Sequence, residues 1–375
     1  MEKNYTSLGL MSGTSMDGID ASIIKSNGED RFETVYDQYF RYDEEIYREL
    51  VDIRNKINSS RDLEVNSIIL SKLERKITLF HATVCNKIIS NYSTGIDLIG
   101  FHGQTIFHNA NEKISRQLGD ANLLSALLKK KVIFNFREND LVNGGQGAPL
   151  APIFHQLLAN QNQINLPICI LNIGGIANIT IISSRDFNDL KSYDIGPGNC
   201  LLDEWIRKKS EERFDKNGDL AKAGKTDEII LNHAIDNFYN IKNNNNPSFD
   251  VRDFNLNFVR GLSLNDGLST LTDFTASIIY QSIVTSINFN KSKKLNVLIS
   301  GGGRKNSFLI DCITHKLPSN VNLCLIDDYN IDGDFIESQA FAYLAIRSFL
   351  KKNISFPKTT NVKKPCSGGV LIKNY

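Results

Sequence analysis

The sequence predicts an α/β protein built as two related lobes, and three observations carry that expectation. Apolar runs of period two alternate with runs of helical period from one end of the chain to the other. A strand, a turn of small residues and a second strand occur twice, at residues 8–25 and again at 168–182. The length, 375 residues, is that of roughly two domains. The sheets are expected to be mixed, and the lobes to span 1–150 and 151–375, facing each other across a cleft, with the final residues returning to the first. No Pro, Gly or Ser tract marks a linker, so the boundary near 140–165 rests on the echo between the halves.

The elements follow in order. Residues 8–11 and 19–25 read as strands around the turn Ser12, Gly13, Thr14, Ser15, Met16, Asp17 and Gly18, with a third strand at 34–40. Helices are expected over 43–57 and 65–90. A buried strand at 96–100 leads into Phe101, His102, Gly103, Gln104 and Thr105, read as loop. Asp120 can cap a helix carrying Leu123, Leu124, Leu127 and Leu128, and Lys129, Lys130 and Lys131 close it where the dipole favours cations. Strands at 168–173 and 179–182 enclose the turn Gly174, Gly175, Ile176, Ala177 and Asn178. Near the end come a strand at 296–300, a glycine turn at 301–303, a helix at 307–317, a strand at 323–326 and a helix at 337–351. Four asparagines at 243–246 ahead of Pro247 offer neither helix nor strand propensity and read as a surface loop.

Composition narrows the function. Forty-three basic and 42 acidic residues leave a net charge of +1, too little field to hold a nucleic-acid backbone or an anionic membrane, so a small ligand is expected. The first ten residues carry too short an apolar run for a signal peptide, and no window reaches a membrane span, which points to the cytoplasm. Cys85, Cys169, Cys200, Cys312, Cys324 and Cys366 form no Cys-x-x-Cys pair and sit near no histidine in ligand spacing, so reduced and mostly buried thiols are expected.

Small residues at Gly13 to Gly18 let backbone amides and two hydroxyls approach a phosphate, and Asp17 and Asp20 are what a magnesium ion on that phosphate would want, although a glycine-rich hairpin turn reads the same way. The second turn, at 174–178, repeats the opportunity. Neither Gly-x-x-x-x-Gly-Lys-Ser/Thr nor a Gly-x-Gly-x-x-Gly after a strand occurs, which sets P-loop and dinucleotide-binding readings aside. Gly301, Gly302 and Gly303 could lie flat against an adenine or ribose, or simply join strand to helix. Asp194, at a strand end beside Gly196-Pro197-Gly198, is placed either as a base or as a turn carboxylate. His102 with Gln104 and Asp120, Arg137 with Asp140, and residues 143–149 add polar groups; His81, His155, His233 and His315 read as helix-face or surface residues.

Together these segments resemble a known family. Leu10-Met11-Ser12-Gly13-Thr14-Ser15-Met16-Asp17-Gly18-Ile19-Asp20, His102-Gly103-Gln104-Thr105, Gly144-Gly145-Gln146-Gly147-Ala148-Pro149-Leu150, Leu171-Asn172-Ile173-Gly174-Gly175-Ile176-Ala177-Asn178 and Asp194-Ile195-Gly196-Pro197-Gly198-Asn199 are similar, in order, to the motifs of the anhydro-N-acetylmuramic acid kinases. The resemblance implies the two-lobed, ribonuclease H-like fold of actin, hexokinase and Hsp70, with duplicated mixed sheets around an ATP cleft. It implies ATP and Mg2+ on Gly13, Thr14, Ser15, Met16, Asp17, Gly18, Ile19 and Asp20, on Gly174, Gly175 and Asn178, and on Gly301 to Gly303, with Asp17 toward the metal. It further implies Asp194 as the catalytic base, and His102, Gln104, Asp120, Gln146, Gly147, Pro149, Arg252 and Glu337 toward the sugar. The implied reaction opens 1,6-anhydro-N-acetylmuramic acid with water and phosphorylates O6, a step of peptidoglycan recycling, in an enzyme that could be a homodimer.

Two segments depart from the family pattern. Where the family commonly reads Ser-Thr-Gly-Arg-Glu, this chain has Ser248-Phe249-Asp250-Val251-Arg252-Asp253, and Glu337 is followed by Ser338 and Gln339 rather than alanine. A kinase for another anhydro sugar, such as levoglucosan, shares the same motifs, and a chaperone or filament ATPase shares the fold.

Overall fold

The computed structural model describes residues 3–92, 95–242, 249–286 and 294–375. The asparagine run at 243–246 and Pro247, read above as a loop, lie outside the described residues, as does Ser248. The strands in chain order are β1 (Tyr5–Ser12), β2 (Gly18–Ser26), β3 (Phe32–Arg41), β4 (Leu98–Asn109), β5 (Ile114–Leu118), β6 (Lys131–Phe134), β7 (Ile168–Ile173), β8 (Ile176–Ile182), β9 (Lys191–Pro197), β10 (Leu295–Ser300), β11 (Val321–Leu325) and β12 (Val370–Ile372).

They form two mixed sheets. The first runs β12-β6-β4-β1-β2-β3, with β5 paired to β4; the second runs β11-β10-β7-β8-β9. In the first, β1 is antiparallel to β2 and parallel to β4, and β4 is parallel to β6. In the second, β7 is antiparallel to β8 and parallel to β10, and β10 is parallel to β11. The order β3-β2-β1-β4-β6 is therefore repeated as β9-β8-β7-β10-β11. The echo heard in the sequence is a duplicated topology, with β1 and β7 as the equivalent central strands.

The chain divides into two compact units. One comprises Met1–Asn165, Ser184–Lys191 and Asp334–Tyr375; the other comprises Leu166–Ser183 and Ser192–Gly333. In the first unit the helix Ile336–Phe349 is buried along most of its length and lies on the central strands. That approach needs glycine: Gly9 and Gly100 are register partners on β1 and β4, and a Cβ on them would fall 2.0 Å from the Ser338 carbonyl and 2.3 Å from that of Phe341. The Ser338 hydroxyl meets that of Ser22 on β2 at 2.6 Å, and the Gln339 amide donates to Asp37 Oδ2 on β3 at 2.9 Å. The two residues that depart from the family pattern after Glu337 thus tie this helix to the sheet.

In the second unit the helix Leu264–Ser286 packs beside Cys200–Lys209, where Trp205 donates from its indole to the Leu264 carbonyl at 3.0 Å. Ile173, Ile179, Val297 and Ile299 form the sheet side of one core cluster, and Trp205, Phe238, Leu268 and Phe274 belong to another.

Several elements differ from the sequence expectation. The second turn is only Gly174 and Gly175: Ile176, Ala177 and Asn178 already belong to β8, with Asn178 opposite Asn172. The last pair of the hairpin is Ile173 with Ala177, so the apolar alternation resumes directly after the two glycines. His102 and Gln104 are strand residues, because β4 runs on to Asn109 and pairs with β5, whose Ser115-Arg116-Gln117 centre hides the strand pattern. Asp194 is the fourth residue of seven in β9 rather than its end. The helix expected over 65–90 is two, Ser60–Val65 and Ser67–Asn91, meeting at Asn66. Of the six cysteines, all free, Cys85, Cys169 and Cys200 are buried, whereas Cys312, Cys324 and Cys366 are partly exposed.

Candidate active site

The turn between β1 and β2 is held from behind. The Gly13 carbonyl accepts from the Met16 amide at 3.2 Å and from Gln104 Nε2 at 2.9 Å, and the Thr14 carbonyl accepts from Arg54 Nη1 at 3.0 Å. A trans peptide unit points its N–H opposite to its C=O. Pinning these two carbonyls onto protein donors therefore turns the N–H groups of Thr14 and Ser15 the other way, and neither has a partner among the described residues. Both side chains are exposed hydroxyls. Two successive outward amides with hydroxyls beside them make a small anion-binding concavity. Met16, at φ 59, supplies the left-handed step that closes it, and its side chain is buried beneath.

Asp17 completes the turn. Its Oδ1 accepts from the Ser15 hydroxyl, and its carbonyl takes the Tyr42 amide and the Tyr39 hydroxyl, both at 2.9 Å. Burial, followed by the Asp17 charge, pushes the Tyr39 phenol up, so it stays a donor. Tyr42, fully buried, meets the Ser12 hydroxyl at 2.9 Å. Gln104, Arg54, Tyr39 and Tyr42 were not read from the sequence as supports of this turn.

The β7–β8 turn repeats the device. The Gly174 carbonyl accepts from the Asn199 amide at 2.8 Å, and that of Gly175 accepts from the amides of Gly198 at 2.9 Å and Cys200 at 3.2 Å. With the Gly174 carbonyl turned onto the 198–200 segment, the Gly175 N–H faces away from it. The contact is so close that a Cβ on Gly198 would stand 2.3 Å from the Gly174 oxygen. Asp194 lies four residues upstream on β9, half-buried, with Oδ2 accepting from the Phe249 amide at 2.9 Å. Strand β9 thus carries a carboxylate directly into the turn that braces the second hairpin.

Arg252 sits on the segment that Asp194 holds: its amide and Nε both bond Asp250 Oδ1, at 3.0 and 2.7 Å, while the Asp250 amide donates to Asp253 Oδ2 at 2.7 Å. Burial raises the Asp253 carboxyl. The shortened acid of this chain is therefore a capping group for a one-turn 3-10 helix, Val251–Asp253. Gly301, at φ 79, and Gly303 pack against Asn172 and Ile173 at the end of β7, whereas a Cβ on Gly302 would meet nothing within 4 Å. Arg304 fixes this turn through Asp327 Oδ2 at 2.8 Å and the Gly301 carbonyl at 3.2 Å.

A third group gathers in the first unit around Arg137. Its Nη2 lies 2.9 Å from His102 Nε2, and its Nη1 donates to the Gly147 carbonyl at 2.8 Å. Guanidinium can only donate, so His102 Nε2 is the acceptor, and Nδ1 carries the proton given to the Gly103 carbonyl at 2.7 Å. Burial first, and then the Arg137 charge, drive the His102 pKa well down, and the ring is neutral. Asp140 accepts from the Gly147 amide at 2.6 Å and from Thr360 at 2.5 Å, shaping the 144–149 loop, and the Gln146 amide bonds the Thr360 carbonyl at 2.6 Å. Burial raises the Glu337 carboxyl, while the charge of Arg137 pulls it back. His102, Gly147 and Glu337 are thus drawn toward one arginine that the sequence reading had left among the added polar groups, and Gln146 adjoins Gly147 in the chain. Pro149 follows on the same loop. Asp120 caps the helix Ala121–Leu128, with Oδ1 accepting from the Leu123 amide at 2.9 Å.

Among the described residues no helix is long and apolar enough to cross a membrane, and no three His, Cys, Asp or Glu side chains gather as a metal cluster.

Two sheets of one strand order, each opening on an antiparallel pair whose turn is aimed outward by pinned carbonyls, place the chain in the actin, hexokinase and Hsp70 fold class. Comparison with known proteins narrows this. The family model for anhydro-N-acetylmuramic acid kinase matches residues 5–374. An anhydro-N-acetylmuramic acid kinase of Pelagibacter ubique is 64% identical over 375 residues, covering all of both chains. Kinases of the same description from Methylobacterium nodulans and Brucella canis are each 36% identical, over 98% of this chain and 99% and 98% of their own. The chain belongs to the anhydro-N-acetylmuramic acid kinase family, and it is a kinase.

Proposed function

We propose that the enzyme uses ATP and water to convert 1,6-anhydro-N-acetylmuramic acid into N-acetylmuramic acid 6-phosphate, a step that recycles peptidoglycan sugar, in the cytoplasm where ATP is supplied. The carrying observation is the run from Asp194 along β9 into the 198–200 turn that braces Gly174 and Gly175. That run fixes a carboxylate against the hairpin turn that this reading gives to phosphate.

A 1,6-anhydro sugar is a bicyclic acetal whose leaving oxygen, O6, stays on the molecule. Asp194 takes a proton from water as the water oxygen bonds C1; the C1–O6 bond breaks, and O6 takes the γ-phosphoryl group as the bond to ADP breaks. No second carboxylic acid is needed to protonate the leaving group, unlike ordinary glycoside hydrolysis. In this reading Thr14, Ser15 and Gly175 donate backbone N–H groups to phosphate oxygens, the flanking residues Gly13 to Asp20, Gly174 and Asn178 shape the nucleotide site, and Gly301 to Gly303 serve the adenosine. Magnesium, which keeps most of its waters and needs one or two carboxylates beside phosphate oxygens, suits Asp17, whose carboxylate is half-buried on the same turn. Neutral His102, Gln146, Gly147, Pro149 and Glu337, organised by Arg137, serve the sugar. Gln104 acts from the phosphate turn, Arg252 from the segment beside Asp194, and Asp120 from its helix start.

The test is Asp194→Asn. The side-chain amide oxygen can still accept from the Phe249 amide, so the 249–253 segment keeps its anchor, but the basic oxygen is gone. Turnover is expected to fall by about two to four orders of magnitude with ATP affinity retained. In the wild-type enzyme, labelled water oxygen should appear at C1 and phosphate at O6. Turnover within tenfold of wild type in the variant, or label anywhere but C1, refutes the assignment.

A further inference from the structure

A cavity of about 590 Å³ opens in the first unit, away from every residue given a role above, between the C-terminal end of the helix Ile336–Phe349, the start of the β2–β3 connection and the segment 184–191. Its volume is that of a small-molecule site. Four cations, Arg185, Arg347, Lys351 and Lys352, line it against two carboxylates, Glu29 and Asp30. Lys352 is paired with Glu29. Arg185 and Lys351 are exposed and have no ion pair among the described residues, so the cavity keeps an excess of about two positive charges in a chain whose net charge is +1.

Arg347 is what makes this more than a basic patch. It is only 6% exposed. Nε donates to the Asn353 carbonyl at 2.8 Å, and Nη1 donates to the Gly28 carbonyl at 2.8 Å and to the Tyr343 hydroxyl at 3.3 Å. Nη2 has no partner among the described residues, although the side chain lines the cavity. The guanidinium is thus locked in place by three bonds, with the rings of Phe187 and Tyr343 at 5.9 and 5.6 Å, and the two N–H groups of Nη2 left over. A buried arginine held rigid with a spare donor is an anchor for an oxyanion. Phe187, itself stacked on Phe356, and Leu157 give the cavity an apolar wall, and Asn160 and Asn353 add amides.

We propose that this cavity binds a phosphate monoester of a small molecule, the phosphate taken by Arg347, Lys351 and Arg185 and the organic body laid against Phe187 and Leu157. Ten residues of helix separate Arg347 from Glu337, about 15 Å at 1.5 Å per residue, so a ligand here does not share the sugar groups gathered by Arg137.

The test is calorimetric titration of the whole enzyme, saturated with a non-hydrolysable ATP analogue so that the phosphate turns are filled. Inorganic phosphate, a hexose 6-phosphate and a nucleoside monophosphate are the three probes. One of the two monoesters is expected to bind at least tenfold tighter than inorganic phosphate, and whichever does identifies the body. The double variant Arg185→Glu, Lys351→Glu, which alters two exposed side chains, should weaken that binding by about thirtyfold or more while leaving turnover unchanged. Three results overturn the proposal: no monoester binding to the saturated wild-type enzyme, equal binding by the double variant, or monoesters binding no tighter than inorganic phosphate.

Discussion

Replacing Gly13 with valine separates what the fold needs from what the nucleotide needs. A Cβ at Gly13 would meet nothing nearer than the Ser15 hydroxyl at 3.9 Å, ordinary van der Waals distance. The supports of the turn attach through carbonyls and through Gln104, Arg54, Tyr39 and Tyr42, and none of these four side chains lies within 4 Å of the added Cβ. The variant should therefore unfold at the wild-type temperature. A branched side chain beside the outward amides of Thr14 and Ser15 would nonetheless hold a phosphate off them. Losing one charge-assisted hydrogen bond costs about 1.5–3 kcal/mol, which is about ten- to about a hundredfold in affinity. Calorimetry with an ATP analogue reads the affinity, and a thermal melt guards against a folding defect. Wild-type affinity in a normally stable variant would remove this turn from the nucleotide site.

The glycine four positions earlier should behave in the opposite way: Gly9→Ala places a methyl 2.0 Å from the Ser338 carbonyl, so it should cost about 1–3 kcal/mol of stability or more, read as a lowered denaturant midpoint, and an unchanged midpoint would mean that the helix Ile336–Phe349 does not rest on β1. Stability should also decline in mild acid. Burial holds His81 and His155 at about 4 and His102 well below its usual value, against about 6.5 in the unfolded chain. The unfolded state thus takes up these protons first, so the contribution of each imidazole is complete above about pH 6.5 and is lost as pH falls toward 4, on the order of 3 kcal/mol each for His81 and His155. The raised carboxyls of Asp140, Asp253 and Glu337 act in the opposite sense. Melting temperatures that stay level or rise between pH 7 and 5 would contradict the histidine account.

The duplicated topology was legible because its signal is local: strand, small-residue turn and strand fit within about twenty residues, and β1 and β7 both begin that way. Strand β5 was not legible, since its polar centre carries no alternation and only pairing with the long β4 defines it. The same division runs through the site. Gly13, Thr14 and Ser15 mark a candidate phosphate turn by their smallness, yet what aims their amides is a set of bonds from far along the chain, Gln104 at a separation of 91 residues and Arg54 at 40. Arg137 beside Asp140 reads as an ordinary loop charge; only the fold sets it against His102, 35 residues away, and so fixes which ring nitrogen keeps the proton.

Gly198 has a part in the structure that the sequence does not announce. From the sequence, Gly196-Pro197-Gly198 is only the turn beside which Asp194 reads as a base or a turn carboxylate. In the structure Gly198 is instead where two backbones touch, its missing side chain letting the Gly174 carbonyl approach to a distance that no Cβ would allow. The direct effect of that contact is to join β9 to the second hairpin. If Asp194 is the base of the proposed reaction, acting on water at C1 while O6 meets the γ-phosphoryl, it has to be registered closely against the phosphates. Carrying the carboxylate on the strand that braces the candidate phosphate turn would supply that registration through the backbone, where a flexible side-chain bridge would not.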